Sequence, residues 1–134
     1  MPELEEKSHN PQAEADHLQW LSDVALMERY PNEPRIEEDR NADLGPVRQL
    51  LADNNRRLQA ALDQRKGELQ NELDFYPHGG IPLDLAERLK SNSQAQEVAK
   101  RGIAHGEADE KRINDKYDDY LKRFRDLKRK QKKL

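Results

Sequence analysis

The sequence predicts an all-α protein, a long antiparallel helical hairpin of coiled-coil type with a short N-terminal helix and flexible termini. Three observations carry that reading. Leucines recur every eleven residues between Val47 and Leu73, an apolar seam in steps of four and three runs from Leu85 to Leu127, and Tyr76-Pro77-His78-Gly79-Gly80-Ile81-Pro82 separates the two.

Composition limits what such a chain can bury. Of its 134 residues 34% are apolar and 38% charged, whereas a compact globule holds nearer half apolar and a quarter charged. That is too little for a thick core but enough for a stripe along a helix. Disorder is the competing reading of such polarity. Mixed charge signs and leucines at helical spacing argue against it.

Residues 1–12 are polar and read as a disordered arm. A short helix is expected over 13–29, with Leu18, Leu21, Val24, Ala25 and Leu26 on a broad face and Trp20 at one side. Tyr30-Pro31 and Pro34 stop it, because a residue before proline is pushed out of the α region. The first hairpin arm is expected over 34–75, with Pro34 in its opening turn and Glu37, Glu38 and Asp39 near the positive end of the helix dipole. Gly45-Pro46 either kinks this arm or breaks it. A kink is preferred, because only a continuous arm, roughly 60 Å at ~1.5 Å per residue, matches its partner.

Within that arm Val47, Leu58 and Leu69 are spaced by eleven, and so are Leu51, Leu62 and Leu73, which keeps the stripe nearly straight. Asn54-Asn55 and Arg65-Lys66 interrupt it. The turn is placed at 76–81 and the second arm at 82–130, leaving 131–134 as a basic tail end. The second seam is weakest where Asn92, Gln96, Gly102 and Gly106 fall. Folding the arms together pairs residues whose numbers sum to about 157. Leu51 then meets Gly106, Leu58 meets Ala99 and Leu69 meets Leu89, large against small through the centre. The N-terminal helix is expected beside Tyr117, Tyr120 and Phe124. The whole of 13–130 is read as one helical domain.

A search for chemistry returns little. There is no cysteine, hence no disulfide or thiolate. His9, His17, His78 and His105 are scattered. Glu14-x-x-His17 is half of a di-iron motif without its second copy, and His105 with Asp109 lacks a third ligand. Ser8, Ser22, Ser91 and Ser93 sit in no nucleophile elbow, and Gly79-Gly80 is too short for a phosphate loop. No catalytic residue, metal, cofactor or small-molecule substrate is expected, and the protein is read as non-enzymatic.

Charge supplies the one candidate site. Twelve acids and four bases precede Pro46, whereas from Lys122 onward there are eight bases and one acid. Lys122, Arg123, Arg125, Lys128, Arg129, Lys130, Lys132 and Lys133 form the candidate polyanion-binding set, suited to phosphates of nucleic acid or to an anionic membrane surface. The ordinary alternative is a solvated helix end, where cations favour the dipole. The leading expectation is a helical interaction or scaffold protein that binds a protein partner or itself, with polyanion binding second.

The start Met-Pro-Glu-Leu-Glu-Glu-Lys has no apolar stretch of signal-peptide type, and no run approaches the ~20 apolar residues of a membrane span. The literal expectation is a cytoplasmic protein, with the periplasm or cell envelope as the alternative if the natural precursor carries a signal peptide. Short phrases bear on this. Asp23-Val24-Ala25-Leu26-Met27-Glu28-Arg29-Tyr30-Pro31, Glu72-Leu73-Asp74-Phe75-Tyr76, Pro82-Leu83-Asp84-Leu85 and Arg112-Ile113-Asn114-Asp115-Lys116-Tyr117-Asp118-Asp119-Tyr120-Leu121-Lys122-Arg123 stand in that order. Together they resemble a group of uncharacterised coiled-coil proteins of proteobacteria, often exported. The resemblance spans about Asp16 to Leu127 and implies an envelope-located helical protein with no assigned activity. The basic tail departs from that group.

Overall fold

The computed structural model describes residues 10–132. Among them the regular elements are all helical: α1 (Pro11–Arg29), α2 (Glu33–Gln49), a π-helical segment (Leu50–Arg56), α3 (Arg57–Leu73) and α4 (Leu83–Lys132). The chain divides into two compact units, one formed by the residues up to Arg40 together with those from Asp115, the other by Asn41–Asn114.

α1 begins two residues earlier than expected, so Pro11 and Gln12 belong to the helix and not to an arm. Asn10 is the reason: its side-chain oxygen accepts from the backbone N–H groups of Gln12 (3.0 Å) and Ala13 (3.4 Å), with Pro11 in the first turn. At the other end Gln131 and Lys132 continue α4 instead of forming a separate tail. The rest of the expected arm and tail, 1–9 and 133–134, lies outside the described residues.

The unit Asn41–Asn114 contains the hairpin. α3 closes with the Phe75 and Tyr76 amides donating to the carbonyls of Glu72 and Leu73. Gly79 (φ 91°) and Gly80 (φ 72°) then take left-handed conformations that side-chain-bearing residues rarely adopt. The expected register holds at the closest approach. A Cβ at Gly106 would lie 2.5 Å from Leu51 Cδ2, and one at Gly102 would lie 3.3 Å from Asn55 Oδ1. Both pairs sum to 157. Leu44, Leu51, Leu69, Leu85 and Ala99 are buried along this seam.

Two features of the first arm depart from simple periodicity. The helix passes through Gly45-Pro46 without a break, with Pro46 inside α2. Proline has no N–H, so the Ala42 carbonyl loses its usual i+4 donor there. Four residues on, the chain widens into π geometry over Leu50–Arg56. A π turn holds more residues than an α turn and rotates those that follow. Asn55 and Gln59 therefore face the second arm, and Leu58, expected opposite Ala99, is left 49% exposed.

Amides fill the layer from which Leu58 is turned. Gln59 donates to Gln96 Oε1, Gln96 to Asn92 Oδ1 (3.5 Å), and Asn92 to the Leu62 carbonyl (3.1 Å). Asn55 donates to the Gly102 carbonyl (3.3 Å). Asn92 and Gln96 are buried, so these bonds offset the cost of removing their amides from water.

In the other unit α1 packs beside α4, as Tyr117, Tyr120 and Phe124 predict. Leu26, Tyr30, Ile36, Tyr117, Leu121 and Phe124 are buried there. The Tyr30 and Tyr120 rings lie 6.1 Å apart, and Tyr117 meets Tyr120 edge-on at 5.5 Å. Arg40 reaches Asp118 at 2.7 Å.

Candidate interaction surface

α1 carries a second apolar stripe besides the one it buries. Leu26 faces the core, and Tyr30 follows it at the helix end. Ala13, His17, Trp20, Val24 and Met27, at steps of four and three, share another face. Trp20 is 59% exposed, and Leu18 and Leu21 at the flank are 63% and 45% exposed. His17 stacks on Trp20 with ring centres 5.9 Å apart. Trp20, Val24 and Met27 form one wall of a groove of about 500 Å³ whose other wall is Leu127, Lys128, Lys130 and Gln131 of α4.

The groove is fixed by polar contacts around Arg123. Its guanidinium donates to Ser22 Oγ (2.8 Å) and Asp23 Oδ1 (3.1 Å), and a third contact reaches Asp119 at 3.6 Å. At the end of α1, Tyr30 OH donates to Asp39 Oδ2 at 2.7 Å, and Arg29 approaches the same oxygen at 3.3 Å. Burial, followed by that hydrogen bond, pushes the Tyr30 hydroxyl up to about 12. The Tyr30 hydrogen bond, aided by Arg29, holds the Asp39 carboxyl below its ordinary value.

The eight expected polyanion-binding residues are not equivalent. Arg123 is turned inward onto α1, Arg125 pairs with Glu33, and Arg129 pairs with Asp126. Lys128 Nζ lies 5.5 Å from the centre of the Phe124 ring. Arg125, Lys128, Arg129 and Lys132 border a second open groove, about 430 Å³, beside Phe124. Lys122 and Lys130 are exposed, and Lys133 lies outside the described residues. The sequence shows the cations but not that the fold commits Arg123 and Arg125 to its own acids, because those acids lie 100 and 92 positions away.

None of the family models, curated proteins or solved structures compared with the chain matches it. Chemistry must therefore be read from the residues alone. Among the described residues no three His, Cys, Asp or Glu side chains gather as a metal site would require. His105 approaches Asp109 at 3.5 Å, and Arg112 contacts the other oxygen of that carboxylate at 3.1 Å. No helix among them is long and apolar enough to cross a membrane.

A second surface, which sequence reading treated only as a turn, is the tip of the hairpin. Phe75 is 82% exposed, Leu83 75% and Ile81 40%. The glycines at 79 and 80 supply the left-handed conformations of this short connection, and the prolines at 77 and 82 fix φ on either side of them. The available signal was an aromatic and two aliphatic residues placed where a turn ordinarily carries polar ones.

Proposed function

We propose that this chain is a non-enzymatic helical interaction protein that works through two apolar surfaces, the α1 stripe and the hairpin tip. One observation carries the reading. The chain has one tryptophan and two phenylalanines, and it leaves Trp20 and Phe75 largely in water. A sequence with so little apolar material gains most by burying its largest side chains, roughly 1.5–3 kcal/mol each. Concentrating them at exposed sites suits association with another surface. The amide layer and the Leu51–Gly106 contact supply the stiff frame on which the tip is carried.

Site-specific photo-crosslinking tests this. A photoreactive residue at position 20 or 75 should give adducts of defined mass in cells that make the protein. The same residue at the exposed position 98, in the middle of α4, should not. Absence of defined adducts from both surfaces would defeat the reading.

A second reading, polyanion binding, is supported by the groove that gathers Arg125, Lys128, Arg129 and Lys132 beside Phe124. It requires affinity for nucleic acid or anionic vesicles that falls steeply with salt. Reversing the charge of Lys128, Lys130 and Lys132 should abolish that affinity, and salt-independent binding would eliminate the reading.

A further inference from the structure

We infer that the hairpin tip of one copy docks into the α1–α4 groove of a second copy, so that the chains associate head to tail. The inference rests on the proposed interaction role and names the partner as the same chain.

Charge and shape both support this occupant. From Glu72 to Arg88 the tip region carries four acids, Glu72, Asp74, Asp84 and Glu87, and one base, Arg88. Arg88 is engaged by Glu72 at 2.8 Å and Asp84 at 3.0 Å, and the four acids outnumber this single base, so the tip is net acidic. The groove lies against the stretch Lys122–Lys132, which has seven bases and one acid. Lys128 and Lys130 stand on its α4 wall. Its two acids differ in availability: Asp23 is held by Arg123, which leaves Glu28 as the opposing charge.

The apolar parts also complement one another. The tip offers Phe75, Ile81 and Leu83 as exposed groups on a short turn. The groove offers Trp20, Val24, Met27 and Leu127 around a volume of about 500 Å³, room for several side chains and within the range of clefts that take a drug-sized ligand. Like charge disfavours a tip-to-tip contact between copies, whereas tip-to-groove brings opposite charges together. Such a contact uses two different patches, so two copies can exchange tip for groove reciprocally in a closed pair or pass the contact on to further copies.

Blocked variants give the test. Light scattering of the full chain at low salt should show mass rising with concentration from 15.7 kDa to at least twice that value. Raising the salt severalfold should weaken association by at least about fivefold. Phe75→Asp blocks the tip and Trp20→Asp blocks the groove, and each variant alone should be monomeric. Mixed in equal amounts, they retain one good tip and one good groove and should form a one-to-one dimer that grows no further. Lys130→Glu serves as a milder groove block on an exposed side chain, and circular dichroism checks that each variant keeps its helix content.

A wild-type chain that stays monomeric overturns the inference. So does a mixture that fails to pair, or a Phe75→Asp variant that associates like the wild type. If the chain is monomeric but positions 20 or 75 still crosslink to other proteins, the interaction role stands and only the choice of partner falls. If neither occurs, both fall.

Discussion

The contact between Leu51 and Gly106 is the most demanding of side-chain size. Leu51 is fully buried, and a methyl group on residue 106 would overlap its Cδ2 and Cγ atoms. Alanine improves helix propensity over glycine by about 1 kcal/mol, but overpacking costs about 1–3 kcal/mol. Gly106→Ala should therefore destabilise the chain in urea titrations. In a Leu51→Ala background the same change should stabilise it, because the obstructing atoms are gone and only the propensity gain remains. Additive effects would show that the two residues do not touch. Tyr30 and Asp39 make a second residue-scale prediction. The Asp39 carboxyl titrates below its unfolded value, so its stabilising effect is present above the ordinary carboxylate range and is lost as pH falls through the lowered value. Tyr30 has the opposite profile: its effect is complete below about 10, its unfolded value, and is lost as pH rises towards about 12. Thermal melts of Asp39→Asn should lose part of the acid dependence, and those of Tyr30→Phe part of the alkaline dependence. Unchanged profiles would mean that this hydrogen bond does not couple to folding.

At the scale of elements, the second arm is held partly by amides where leucine would give more apolar burial. Asn92→Ala removes a donor to the Leu62 carbonyl and the acceptor of Gln96, and should cost about 1–3 kcal/mol. α1 depends on a different set of contacts. Arg123→Ala removes its links to Ser22 and Asp23, so hydrogen exchange should speed up over 11–29 and stay unchanged over 57–73. Equal acceleration in both would contradict the assignment of these contacts to separate units. Much of this architecture was legible in advance. Prolines and glycines marked the turn, the seams set the register, and small residues at 102 and 106 marked the close approach. The π segment was not legible, since one widened turn leaves no periodic trace. It is what moves Gln59 inward and Leu58 outward, and an eleven-residue repeat read as continuous helix puts them the other way round. The N-cap at Asn10 was available as an Asn-Pro pair, yet it lay inside a stretch whose polarity suggested disorder.

For the whole molecule, the charge gradient is legible in the sequence, whereas the different surroundings of its cations are not. Counting cations gave eight equal candidates, whereas the fold pairs Arg123, Arg125 and Arg129 with acids and sets Lys128 against an aromatic ring. The pairs of Arg123 with Asp23 and of Arg125 with Glu33 are invisible without the register that brings residues of α1 and α2 beside α4, whereas Asp126 and Phe124 share α4 with the cations they meet. The exposed Trp20 and Phe75 were equally hidden, because periodicity assigns a residue to a face without saying whether anything covers that face. The proposed role depends on those two side chains becoming covered. Trp20 is the chain's single tryptophan, so its fluorescence reports on the α1 groove alone. Emission recorded from dilute to concentrated protein at low salt should shift to shorter wavelength in step with the rise in mass, and Phe75→Asp should remove the shift. Emission that stays at the wavelength of a water-exposed indole while mass increases would place the contact elsewhere and contradict the account.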